Sequence, residues 1–219
     1  MELRFLYTLF FSLTGYFMCG LSFGQYYMVV ETEESITSGM LRHHIYIQCE
    51  HSSDRISAIY GTDLTPMWID APEGVFNSPF NGGWSAAGMN PLLYESMPTL
   101  QDDSYATISL TAPANKSAEG SQNPMMVEDR SHPWSDFFKE NGATRLEINT
   151  LIGGSWFAVK SASNGLPDKK NRVLISQITT SGSIRGEVNA QIFPRGNGMD
   201  SIKVKFNFDG VGKTQGQEI

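Results

Sequence analysis

Histidine and cysteine are the side chains here best suited to metal or nucleophilic chemistry, and they are few: His43, His44, His51, His132, Cys19 and Cys49. His43, Cys49 and His51 share one parity of a run that alternates apolar and polar residues, so a His–Cys–His metal site is the first arrangement to weigh. An extended chain advances ~3.4 Å per residue, which sets His43 about 20 Å from Cys49 and the outer pair roughly 27 Å apart. A zinc ion holds its donors within ~2.0–2.3 Å. The spacing therefore excludes a shared metal, and the histidines are expected to flank a buried face.

Other chemistries fare no better. A serine nucleophile needs a positioned base and, in one common context, a Gly-x-Ser-x-Gly elbow between strand and helix. Gly83-Trp84-Ser85-Ala86-Ala87-Gly88 has the wrong spacing for it. Asp102-Asp103 and Glu128-Asp129 supply the residue type of a glycoside hydrolase, but that reaction needs two carboxyls facing each other across a groove. Calcium would draw on Asp102-Asp103-Ser104 or Asn197-Gly198-Met199-Asp200, and neither follows the spacing of a twelve-residue EF-hand loop. Turn formation accounts for both. No catalytic residue, metal ligand or cofactor is assigned, and Ca²⁺ has no supporting motif. Among Trp68, Trp84, Trp134 and Trp156, the residue with a ligand-binding expectation is Trp84, set among glycines and small residues; the competing expectation is that it covers the core.

The chain has 219 residues, a formal charge of −7 and a pI near 5.1. Nucleic acid and anionic membranes demand clustered Lys and Arg, so both are excluded as partners. The one basic cluster, Lys169-Lys170 with Arg172, follows Gly165 and Pro167 and reads as a solvated turn. Residues 1–24 have the make-up of a secretory signal: Arg4, an apolar run from Phe5 to Met18, then Ser22-Phe23-Gly24 before Gln25. Ser12, Thr14 and Gly15 interrupt the run too early for the ~18 apolar residues of a membrane anchor. The expectation is a protein secreted or held at the cell surface, with no membrane association after cleavage. Removing the leader takes Cys19 with it and leaves Cys49 without an intramolecular partner.

Positioning falls to strands. Arg42 to His51 alternates, with Ile45, Ile47 and Cys49 on one face and His44, Tyr46, Gln48 and Glu50 on the other. Further strands are expected at Tyr26–Glu31, Arg55–Gly61, Pro66–Asp70, Ser104–Leu110, Arg145–Leu151, Ser155–Lys160, Arg172–Thr179, Ser183–Phe193 and Ser201–Asp209. Thr180-Ser181-Gly182 predicts a hairpin, with Gly182 at a positive φ. His132 to Asn141 predicts the one helix, with Trp134, Phe137 and Phe138 on its inner face. Residues 71–100 are rich in Pro and Gly yet too apolar for a disordered linker, so they are expected to cover an edge or end of the core. Within them, Asn90 is expected to cap a helical turn beginning at Pro91. The fold class that follows is all-β: an antiparallel β-sandwich of Greek-key or meander type, with one short helix and a long irregular covering segment. The expected organisation is a leader over 1–24, one β-rich domain over 25–211 and a C-terminal tail over 212–219.

Five stretches in order carry a resemblance: Ser57-Ala58-Ile59-Tyr60-Gly61, Gly83 through Pro91, Asp103-Ser104-Tyr105-Ala106-Thr107-Ile108, Gly154-Ser155-Trp156-Phe157, and Val173 through Gly182. Together they resemble a β-rich module of secreted and cell-surface proteins of marine microbes, sometimes embedded in larger multidomain chains. The resemblance spans most of the chain after the leader and implies an exported β module, with no activity and no catalytic residues attached. The functional expectation is a non-catalytic module for binding or surface structure, its partner a glycan or another surface protein. The alternative is a secreted, glycosidase-like hydrolase using a carboxylate pair on the sandwich.

Overall fold

The computed structural model describes residues 25–219, so the leader assigned to 1–24 lies outside the described residues. In chain order the strands are β1 (Tyr27–Glu34), β2 (Leu41–Gln48), β3 (Arg55–Gly61), β4 (Met67–Asp70), β5 (Tyr105–Ala106), β6 (Met125–Val127) and β7 (Arg145–Ile148). They continue as β8 (Gly154–Phe157), β9 (Arg172–Thr180), β10 (Arg185–Phe193), β11 (Ile202–Asp209), β12 (Gly212–Gln215) and β13 (Gln217–Glu218). The fold is an all-β, sandwich-like arrangement of two antiparallel sheets. One is five-stranded, in the order β12-β1-β2-β9-β5. The other is eight-stranded, with the path β13-β11-β10-β3-β8-β6 and with β4 and β7 branching from β10.

Alternation decides what is buried. In β2, His43, Ile45 and Ile47 turn inward, with Cys49 just beyond the strand, and each is at most 3% exposed. In β10 and β11 the inward set is Gly186, Val188, Ala190 and Ile192 against Val204, Phe206 and Phe208, matching the period-2 expectation. These faces meet in one continuous core that also takes Met28, Ile59, Ile69 and Trp156. Trp156 is wholly buried, and its indole N–H donates to Thr107 O at 3.2 Å and Ile175 O at 3.1 Å. β10 pairs along one part of its edge with β3 and along another with β4. Asn189 spans that split from beneath, its amide donating to the carbonyls of Tyr60, Thr65 and Pro66.

Four expectations change. The helix over 132–141 is a 3-10 turn, Trp134–Phe138. Trp134, Phe137 and Phe138 are buried as expected, but the stretch between Pro133 and the positive-φ Gly142 is too short to sustain an α-helix on its own, and packing sets the tighter winding. The strand over 104–110 is reduced to β5, because Thr107 Oγ1 bonds both Leu110 N and Leu110 O and Ser109 takes φ 57°. The 180–182 turn is not a hairpin: β9 belongs to the five-stranded sheet and β10 to the other, so the turn crosses between sheets, and Gly182 has no positive φ. Residues 212–219, read as a tail, carry β12 and β13. This last segment runs along β1, passes Gly216 and then joins β11, closing one side of the sandwich.

The irregular segment covers the β9 edge. Val75 bridges to Thr180, Phe76 N donates to Thr179 O, and Ser104 Oγ ties Phe76 O to Thr179 N. The segment builds a second small core from Ala86, Met89, Leu100, Tyr105 and Leu110. Asn90 caps a 3-10 turn over Pro91–Leu93 by accepting from Leu92 N.

Candidate functional site

The outward parity of β2 carries Arg42, His44 and Tyr46, placed opposite Glu33, Glu31 and Val29 of β1. On the other side of β2 the pairing with β9 slips by one residue between Ile45 and Tyr46. This bulge puts Leu174 opposite Tyr46 and Gln177 opposite His44 on the same outer face. A bulge re-aims side chains in this way without breaking the sheet. The irregular segment then supplies a wall of Met89, Pro91, Tyr94 and Gln101, and the result is a cleft of about 370 Å³ on the outside of the five-stranded sheet.

Gln177 is the hub of the cleft floor. Its amide N–H groups donate to Gln101 O at 2.9 Å and Asp103 O at 2.8 Å. Its Oε1 accepts from His44 Nε2 at 2.9 Å and from the Tyr105 hydroxyl at 3.3 Å. Arg42 donates to Glu33 Oε1 at 3.0 Å, to Glu34 O and to Gln101 O. Burial raises the Tyr46 and Tyr94 phenols above their ordinary range, with the Arg172 guanidinium pulling Tyr46 back. Arg172 sits 4.2 Å over the Tyr46 ring and pairs with Glu31 at 2.8 Å, while the His44 ring lies 6.2 Å from Tyr46 on the same face. Farther along β1, Lys213 lies 4.0 Å over Tyr27. Both arginines are neutralised by a neighbouring carboxylate, so the face offers donors, acceptors and aromatic rings with little net charge. Glu33 is the one carboxylate lining the cleft.

The residues singled out in the sequence lie elsewhere. Trp84 is half-buried and packs edge-on against Trp134, with ring centroids 5.3 Å apart. His43 is buried and its Nε2 bonds Gly182 O, whereas His51 is exposed beyond the end of β2. Asp102 and Asp103 are both buried but diverge. Asp102 accepts from Ile36 N, Thr37 N and Thr37 Oγ1, and Asp103 accepts from Ser78 N and Asn81 Nδ2. They hold loops rather than face a groove. Glu128 accepts from Ser135 N and Asp129 from Ser131 N, again closing local turns. Asn197 and Asp200 bond each other at 2.7 Å, and among the described residues no group of three or more His, Cys, Asp or Glu converges as metal ligands would.

Sequence reasoning placed His44 and Tyr46 on the outward face but attached no site to them. Gln177 and Tyr105 were missed, since both sit in stretches that read as ordinary strand. The available signal was a polar, aromatic outward row in β2 beside an apolar segment needing a surface to cover. No protein family, characterised protein or solved structure matches this chain.

Proposed function

We propose that this is an exported, non-catalytic binding module whose site is the cleft on the outer face of the five-stranded sheet. The ligand class that suits it is a neutral, hydroxyl-rich glycan. The observation that carries this reading is the combination of Tyr46, Tyr94 and His44 with the polar side chains of Glu33, Arg42 and Gln101 in one shallow cleft. Sugar rings have apolar faces that stack on aromatic side chains and hydroxyls that both donate and accept, so a good site offers flat rings and mixed polar groups at once. Ion pairing of Arg42 and Arg172 disfavours an anionic polymer, because neither guanidinium is free to pair with it. A glycosidase would need two opposed carboxyls, and the cleft lining supplies Glu33 alone.

The test is binding to a panel of neutral and uronate polysaccharides by affinity electrophoresis, followed by calorimetry on any hit. Tyr46→Ala and Tyr94→Ala are each expected to weaken binding about tenfold or more, the scale of one lost aromatic contact. Trp84→Phe is expected to leave affinity unchanged. Cleavage of a polymer that is abolished by Glu33→Gln would replace this reading with the hydrolase.

A further inference from the structure

One wall of the cleft is not sheet, and it hangs on a buried carboxylate that has no cation. Asp103 is fully buried; its Oδ1 accepts from Ser78 N at 2.6 Å and its Oδ2 from Asn81 Nδ2 at 2.7 Å. Among the described residues no Lys, Arg or His forms an ion pair with it. Asn81 in turn accepts from Gly83 N and reaches Met89 Sδ at 3.9 Å, and Asp103 O accepts from Gln177 at the cleft floor. The Asp103 carboxyl group thus links the two ends of the irregular segment to each other, while the main-chain carbonyl of the same residue ties them to the cleft floor.

We propose that Asp103 is a pH-sensitive latch on the cleft: when neutral it lets residues 76–103 lie closed against β9 and β5, and when ionised it favours their lifting. Burying a charge without a counter-ion costs far more than burying a neutral acid, whereas lifting the segment returns the carboxylate to water. The neutral acid keeps its bond from Ser78 N and gives up an acceptor toward Asn81, a smaller loss than the unpaired charge. Consistent with this, burial raises the pKa of Asp103 to about 7, against the opposing pull of the Ser78 and Asn81 bonds. The sign follows from linkage. A carboxyl raised in the closed state stabilises closure fully below its ordinary value near ~4, and that stabilisation is lost as pH rises toward 7.

The other ionisable groups facing this network come from the irregular segment itself, β5, β2 and β1. The Tyr94 and Tyr105 phenols are raised by burial and stay neutral across this range. Asp102 is held by the 36–37 turn with Arg42 at 3.8 Å, and Glu33 pairs with Arg42. His44 reaches Asp103 through Gln177, so it is the group to control for.

The gating of ligand depends on the cleft being the binding site, but the motion does not, and it is tested without ligand. Amide hydrogen exchange would be followed in peptides from 76–103 at pH 5.5, 7.0 and 8.5, corrected for intrinsic rates, in wild type, Asp103→Asn and His44→Gln. The opening constant of this segment is expected to rise roughly tenfold or more across the range in wild type and His44→Gln, while β10 and β11 stay protected. Asp103→Asn is expected to show no such rise. Should that variant fail to fold, the wild-type and His44→Gln profiles decide. The latch is overturned if wild-type protection of 76–103 is independent of pH, if the profile survives in Asp103→Asn or disappears in His44→Gln, or if the sheets open in step.

Discussion

Burial settles the chemistry of the Cys49 thiol. Cys49 is 3% exposed beside Ile47, and desolvation, reinforced by the Asp54 carboxylate, lifts its pKa well above the ordinary thiol range. Only the thiolate is a good nucleophile or ligand, so the native protein holds this sulfur inert. A thiol reagent such as dithionitrobenzoate is therefore expected to leave Cys49 unlabelled in folded protein comprising residues 25–219 and to label it after denaturation; rapid labelling of the native state would contradict the burial. Trp84 follows the core-covering expectation: half-buried, it leans on Trp134 and packs against the main core. Small neighbours in a sequence show that a backbone bends, not which way the ring then points.

At the scale of elements, the last segment does more than the composition of Gly212 to Ile219 suggests. β12 and β13 cap the open edges of β1 and β11, and unpaired edges invite association with other chains. The switch between the two sheets happens at Gly216, where a Cβ would lie 2.5 Å from both Phe206 Cε1 and Val204 Cγ1. Both neighbours belong to the core strand β11, so they have little room to yield. Gly216→Val is expected to destabilise the fold by about 1–3 kcal/mol, the usual cost of overpacking, as read from urea unfolding midpoints. Size-exclusion chromatography of the same variant should show more self-association as the closing segment peels away. A variant whose stability and elution match those of wild type would mean that the segment packs differently. The β2–β9 bulge works at this scale too, since one extra residue moves Gln177 to the outer face beside His44.

For the whole molecule, two buried groups tilt stability against pH in opposite directions. Asp103, raised to about 7, contributes stability that is complete near its unfolded value of ~4 and is lost as pH climbs to 7. His43 is depressed, chiefly by burial, and its interior position favours the neutral ring. Its contribution is therefore present above the unfolded value of ~6.5 and is lost as pH falls below it. The two slopes partly cancel in the native protein. Asp103→Asn is expected to unmask the histidine, with the thermal midpoint falling as pH drops below ~6.5, and His43→Gln to unmask the carboxyl, with the midpoint falling as pH rises from ~4 to 7. Calorimetry on both variants checks the signs. Parallel curves for wild type and both variants would show that neither group is coupled to folding.

Period-2 alternation in β2, β10 and β11 was enough to establish an all-β class, to name the inward side chains and to bury Cys49. That pattern arises within a single strand, because successive side chains point to opposite faces whatever the partner. Which strands become neighbours is another matter. The alternation of β9 and β10 is compatible with a hairpin or with two sheets, and only packing of both inner faces on one core assigns them apart. The cleft depends wholly on that assignment. Arg42, the Tyr94–Tyr105 stretch with Gln101, and Gln177 are distant in the chain and meet through cross-strand register, a one-residue bulge and a segment folded back over an edge. The sequence by itself determined faces; the tertiary structure decided neighbours, since register and coverage are set by contacts between residues far apart in the chain.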